Sequence, residues 1–313
     1  MVNRLILGAF ATLVVASGEA RPPARTPLVP PAAAADSTAR VVLLGTGTPI
    51  PDPERSGSSL AIVINGASYL FDAGPGVVRR ATAAARDSMP ALRVANLRYL
   101  FLTHLHSDHT LGLPDVMLTP AVMHRKVPLN VYGPSGTGAM VNGILRAYRE
   151  DIELRIHGLE RGDSSAYRVL VHEVKPGVVY RDSNVTVTAF RVLHGSWRSA
   201  LGYRIDTRGR SIVVSGDTRP TDAIVDACHG CDVLVHEVYS KKGFDRLDSA
   251  NRQYHSTFHT SALELGDLAT RAKPKLLVLT HMLFFGETGE EILTEIRSRF
   301  AGNVVLGTDL DVY

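Results

Sequence analysis

Cysteine is scarce in this sequence: two residues in 313, Cys228 and Cys231, set as CHGC. A zinc ribbon needs a second such pair, so that reading is excluded. A thioredoxin-like redox site needs a helix opening at the motif, whereas an apolar strand-like run, Asp232-Val-Leu-Val-His236, follows here. A small disulfide ring and two buried free thiols both stay open. Charge imbalance is also missing. With 34 Lys and Arg against 31 Asp and Glu, the formal charge of +3 is too small to signal a nucleic-acid groove, though it suits an anionic substrate. The glycines of LGTGTP (44–49) carry no GxGxxG spacing and no following lysine, which argues against a phosphate loop and for a tight turn.

The N-terminus sets a separate expectation. Arg4 precedes the charge-free run Leu5–Ala16, and Gly18 and Ala20 follow as small residues. That order is the pattern of a secretory signal over residues 1–20, and the run is too short for a comfortable membrane span. Residues 21–39 are rich in Pro and Ala without apolar periodicity and read as a disordered leader. The expectation is therefore a periplasmic or secreted protein with no stable membrane association after cleavage, and one folded domain over 40–313.

With 45% hydrophobic residues the chain can bury a large core. RVVLLG (40–45), LAIVI (60–64) and SYLFD (68–72) read as a strand meander, 75–86 as a helix, and LRYLFLT (97–103) as a buried strand. A second half repeats the pattern: strands over 185–193, 200–206 and 210–217, then helix 220–228, strand 232–236, helix 260–272, strand 276–280, helix 288–299 and strand 303–307. Runs of strands before helices, without strict βαβ alternation, predict an α+β fold, an αββα sandwich of two sheets flanked by helices.

The stretch FLTHLHSDH (101–109) puts His104, His106, Asp108 and His109 within six residues, directly after a buried strand. His104 and His106 share a strand face, and the chain then turns so that Asp108 and His109 can enter the same space. Imidazole and carboxylate donors suit zinc, with manganese or iron as alternatives. His194, Asp217 and His281 end later strands, where sheet enzymes gather their sites. The remaining histidines, His124, His157, His172 and His229, lack partners at ligand spacing and read as surface residues. His236 reads either as a support for Asp217 or a ligand imidazole, or as a strand-end histidine.

Together HLHSDH, the strand-end His194, the Gly216-Asp217-Thr218 turn and Thr280-His281 resemble the metallo-β-lactamase fold of metallohydrolases. LGTGTP, LFDAGPG (70–76), YGPSGT (132–137), LGYRI (201–205), SGDTRP (215–220) and LVHE (234–237) make the likeness closer to its ribonuclease Z and arylsulfatase-like branch. The resemblance implies one zinc on His104, His106 and His194, and a second on Asp108, His109 and His281. Asp217 would bridge the two, with a bridging water as nucleophile. It also implies a general acid in a His-Ser-Thr motif, oriented by the Glu of a His-Glu pair. HSTFHTS offers His255 by letters and His259 by position, twenty-two residues before His281. His259 with Glu237 is favoured, and the candidate catalytic set is Asp108, Glu237, His255 and His259.

For the substrate, Ile205 and Gly216 are separated only by DTRGRSIVVS, with no room for the tRNA-binding arm that ribonuclease Z carries there. The polar stretch after the last family histidine is replaced by Met282-Leu-Phe-Phe285, and Phe284, Phe285 and Trp197 read either as an apolar wall or as core. With export added, these features argue against tRNA. They point to an exported phosphodiesterase on small-molecule esters, with an arylsulfatase-type, lactone or β-lactam hydrolase as the alternative. A non-catalytic metal-binding protein ranks last because every ligand is present. A homodimer is left open, since dimers are common among such relatives.

Overall fold

The computed structural model describes residues 38–313. The signal segment 1–20 and nearly all of the leader 21–39 therefore lie outside the described residues. Among those described, no helix is long and apolar enough to cross a membrane.

Among the described residues, thirteen strands form two mixed sheets. The first holds β1 (Arg40–Gly45), β2 (Ser59–Ile64), β3 (Ala67–Phe71), β4 (Tyr99–Phe101), β5 (Leu129–Gly133) and β6 (Val169–Glu173), side by side in chain order. The second holds β7 (Gly177–Arg181), β8 (Val185–Arg191), β9 (Leu201–Thr207), β10 (Ser211–Val214), β11 (Val233–Tyr239), β12 (Leu276–Leu283) and β13 (Val304–Leu306), again in chain order. Each sheet starts as an antiparallel meander and turns parallel where helices enter the connections, at β3–β4 and at β10–β11. Parallel neighbours need a crossover, so the helical stretches fall in the later part of each half.

The strands look uniformly apolar because both faces are buried, against different partners. On β1, Val41 and Leu43 join the core between the sheets, while Val42 and Leu44 face the helix layer. In β10 and β11 the same alternation sends Val214 and Val235 inward, and Val213 and Leu234 toward the outer helices. The result is the expected αββα sandwich.

Two local expectations are corrected, and one unread region is filled in. The strand over 97–103 pairs only at Tyr99–Phe101; beyond it Thr103 is held by a side chain instead, its N–H donating to Asp72 Oδ1 at 2.8 Å. The strand over 276–280 runs on to Leu283, with His281 as an extra residue inside it: Glu237 pairs Thr280, Val238 pairs Met282, and His281 has φ +45°. Such a bulge bends the strand and re-aims one side chain. Region 110–181, read only for its motif at 132–137, contains β5 to β7 and helices Leu113–Val122, Thr137–Ala147 and Arg149–His157. The two cysteines close the disulfide Cys228–Cys231.

Candidate metal centre

Every candidate ligand sits where a strand ends or is interrupted, along one edge of the sandwich. After β4 the chain leaves the sheet at Thr103 and delivers His104 and His106. A single helical turn, Ser107–Thr110, then swings Asp108 and His109 in from another direction. β8 leads to His194, β10 to Asp217, and the bulge in β12 presents His281. The strands meet tightly here because Gly216 has φ +60° and no Cβ. A side chain there would press on Leu201 O and the Thr103 side chain, at 2.8 and 2.9 Å.

Two groups of donors share Asp217: His104, His106, His194 and Asp217 form one, and Asp108, His109, Asp217 and His281 the other. Glu237, His259 and His281 make a third, and within each the ligand-type atoms lie within 4.8 Å of one another. His106 Nδ1 stands 3.0 Å from His104 Nε2 and 3.1 Å from His194 Nε2. Asp217 lies between the groups, with Oδ2 at 3.9 Å from His104 and His194 and 3.5 Å from His281, and Oδ1 at 3.4 Å from His109. All seven ligand candidates are thus brought together, and all but half-exposed His106 are buried.

The protonation pattern tests whether these residues fit metal ions. His194 Nδ1 donates to Phe258 O at 2.8 Å, which leaves a lone pair on Nε2, the atom aimed into the first group. His109 Nδ1 donates to Asp72 Oδ2 at 2.8 Å, and its Nε2 faces carboxylate oxygens of Asp217 and Asp108, 3.4 and 3.5 Å away. Although burial opposes charge on the ring, Asp217 and Asp72 hold it well above the ordinary histidine value, so without a metal a proton stands where an ion would. That nitrogen is buried and has no hydrogen-bond partner. Carboxylate oxygens crowding a buried imidazole nitrogen call for positive charge between them, which a proton or a metal ion can supply. Burial pushes His194 down to about 4 and His104 well below the ordinary histidine value, keeping them as neutral donors. Burial opposes charge on Asp217 too, but His281 and His109 outweigh it and hold its carboxyl well below the usual range. The donor set fits two ions sharing Asp217.

Beside the metal groups, His259 Nδ1 lies 3.4 Å from Glu237 Oε2 and 4.0 Å from Asp217 Oδ2. The other Glu237 oxygen accepts from the backbone N–H groups of Thr260 and Thr218, at 2.9 and 3.3 Å. Burial first, and Asp217 second, push the Glu237 carboxyl well above its ordinary value, while burial lowers His259 to about 4. His255 lies one turn earlier on the helix Ser249–Phe258; its ring is 5.8 Å from His259 and 4.6 Å from Phe285, and it touches neither donor group.

Sequence reasoning missed Asp72, which binds Thr103 N, Thr103 Oγ1 and His109 Nδ1, each at 2.8 Å. Its signal was present: Asp72 follows a strand directly, as the ligand residues do, within LFDAGPG. Trp197 is more than an apolar wall, because its indole N–H reaches His106 Nε2 at 2.7 Å. Phe284 lies under the Arg55 guanidinium, 5.2 Å away, in a neighbouring cleft of about 250 Å³. His236 is a buried core residue with Nδ1 2.6 Å from Glu237 O, and belongs to neither metal group. His124, His157 and His229 are exposed, while His172 is half-buried against Tyr132 and bonded to Asn130.

Fold and centre together define a metal-dependent hydrolase. Residues 68–282 match the family model described as Beta-lactamase superfamily domain. The chain is 34% identical over 276 residues to ribonuclease Z of Mycobacterium bovis, an alignment covering 86% of this chain and 96% of that protein. Among solved structures, the short form of human tRNase Z aligns with a TM-score of 0.63 at 25% identity, covering 88% of this chain and 98% of that one. The metallo-β-lactamase fold protein YhfI from Bacillus subtilis superposes with a TM-score of 0.68 at 17% identity, over 88% of this chain and 98% of that one, a likeness of fold. The chain belongs to the ribonuclease Z family of the β-lactamase superfamily.

That membership corrects the expected function. An exported phosphodiesterase on small-molecule esters, with tRNA argued against, does not agree with a ribonuclease Z likeness running through nearly the whole chain. The short β9–β10 hairpin, closed by Thr207 N donating to Arg210 O at 2.9 Å, misled because the alignment with the Mycobacterium bovis ribonuclease Z, 276 residues long over 86% of this chain, leaves no room for a long insertion that this chain lacks.

Proposed function

We propose that the chain is a metal-dependent ribonuclease of the ribonuclease Z kind, hydrolysing a phosphodiester bond of tRNA-type transcripts. One observation carries this reading: two donor groups share Asp217 beside the His259–Glu237 pair, in a chain a third identical to ribonuclease Z over 86% of its length. In this proposal His104, His106 and His194 would hold one ion and Asp108, His109 and His281 the other, with Asp217 available to both. The mixed imidazole and carboxylate set suits zinc, with manganese or iron also accommodated. Bound there, two divalent cations supply Lewis acidity for the phosphoryl group and acidify water.

The chain's own residues do the rest. Asp72 fixes the His109 ring through Nδ1, and Phe258 O fixes His194 in the same way, so both ligand nitrogens are aimed before any ion arrives. His259 lies close enough to the groups to act as the acid: protonated to imidazolium in the substrate complex, it would give that proton to the departing oxygen and return to neutral imidazole, with Glu237 orienting it from 3.4 Å. His255, one helical turn away, is left outside this relay.

Incubating the metal-loaded protein with a 3′-extended tRNA transcript, and separately with aryl phosphodiesters, aryl sulfates and lactones, tests the reading. Site-specific cleavage of the transcript is expected. An intact transcript alongside rapid hydrolysis of the small esters would overturn it.

A further inference from the structure

The helix Ser249–Phe258 ends beside the metal centre, where Phe258 O accepts from His194 Nδ1 at 2.8 Å, yet none of its residues is fully buried. Its last turns carry three rings, Tyr254, His255 and Phe258, beside the polar Ser256 and Thr257. Tyr254 and Phe258, four residues apart and so on one helix face, stack with centroids 4.4 Å apart and planes 23° from parallel. Phe258 continues onto the ligand rings, nearly parallel to His106 at 6.4 Å and edge-on to His194 at 4.9 Å. Trp197 closes the row on the other side of His106, with ring centroids 5.0 Å apart. The row therefore leads from the first metal group outward to solvent.

Its members are not equally accounted for by packing. Phe258 fills the space over Gly195, whose φ of +52° and missing Cβ make room for the ring. Trp197 is tied to His106 by its indole N–H. Tyr254 has no such structural duty: it is 45% exposed, and its ring contacts are to Phe258 and His255. It also lies within electrostatic reach of Asp217 and Asp108, although burial is the larger cause of its raised pKa. An exposed ring extending a stack away from a centre for phosphodiester chemistry stands where the nucleoside next to the scissile phosphate must lie.

We infer that Tyr254, with Phe258 and Trp197 behind it, is a stacking shelf for an unpaired nucleobase flanking the scissile phosphate. The inference rests on the ribonuclease reading and specifies how that site takes its substrate. Stacking accepts any base because every base has a π face, so the shelf gives affinity and position without a strong sequence preference.

The only tryptophan of the chain is Trp197, so intrinsic fluorescence reports on the shelf. The test titrates metal-loaded protein with a short single-stranded RNA carrying one phosphorothioate linkage, and with the same RNA made abasic on either side of that linkage. The expected result is quenching, with affinity reduced about 5- to 100-fold either by Tyr254→Ala or by removing one flanking base. The variant and the abasic RNA combined should lose no more than either alone. Tyr254→Phe should bind as the wild type does. Metal content and melting temperature should be unchanged in both variants, since Tyr254 touches no ligand atom.

Equal affinity of Tyr254→Ala and wild type, or an equal loss on base-bearing and abasic RNA, would overturn the shelf. So would a wild-type dimer that Tyr254→Ala dissociates, which would make this face a contact between copies. These outcomes leave the ribonuclease reading standing if the transcript is still cleaved. If RNA is neither bound nor cleaved, both fall.

Discussion

Replacing Asp72 by Asn probes the centre through a residue that is not itself a ligand. Asp72 Oδ1 accepts from Thr103 N, and Oδ2 accepts from Thr103 Oγ1 and His109 Nδ1, all at 2.8 Å. Asn keeps the size and the Oδ1 acceptor. It also tolerates the left-handed backbone at this position, φ +59°, better than most residues, so the fold should survive. What changes is Oδ2, which becomes an NH₂ group facing the His109 N–H, donor against donor. The Thr103 hydroxyl can rotate to accept, but the imidazole must turn or change tautomer, and either takes Nε2 off its aim. Loss of such an outer partner costs about 10- to 100-fold in metal affinity, or about 1.4–2.8 kcal/mol. Because His109 serves only the second group, one of two metal equivalents should weaken while the other keeps its affinity. Titration of metal-free protein against a chelator of known affinity, with a thermal melt as a folding control, reads this directly. Two unchanged sites would refute the reasoning, and an equal loss at both would show that Asp72 supports the whole edge rather than His109.

Further outcomes follow from the same geometry. If His259 donates the proton, His259→Ala should lower turnover of RNA about 10²- to 10⁴-fold, yet far less for a nucleotide p-nitrophenyl ester, whose leaving group departs unaided. Metal content should hold, and His255→Ala should stay near wild type in the same steady-state assay; the reverse pattern would move the acid to His255. Gly195→Ala should be harmful out of proportion to its size, because the new Cβ would overlap the Phe258 ring and disturb the Phe258 carbonyl that holds His194. A lower melting temperature with weakened binding at the first metal group is expected, and metal titration with calorimetry checks both.

The sequence made the metal edge legible because each ligand there ends an apolar run, and strand ends are visible from hydropathy alone. His104, His106, Asp108, His109, His194, Asp217 and His281 all converge where they were expected. His281 arrives by a route no pattern disclosed: its strand continues past it, and a bulge turns the side chain in. Asp72 was missed because its partners, Thr103 and His109, lie thirty-one and thirty-seven residues away, a pairing set by the parallel β3–β4 register. The stretch from Leu113 to Arg181 stayed unread for a different reason. Pro120 lies inside one helix, glycines inside the next, and the helix Arg149–His157 buries no residue fully, so apolar periodicity is weak. The substrate was misjudged because one short hairpin was weighed above the whole-chain likeness to ribonuclease Z, which runs over 86% of the sequence.

The central claim is RNA hydrolysis at a two-metal centre joined by Asp217. The most direct measurement titrates metal-free protein with zinc while following cleavage of a 3′-extended tRNA transcript, beside an Asp217→Ala variant. The account predicts little cleavage at one equivalent, full activity as the second binds, and none in the variant at any zinc concentration used. Full activity at one equivalent, cleavage by metal-free protein, or a transcript left intact with both equivalents bound would contradict it.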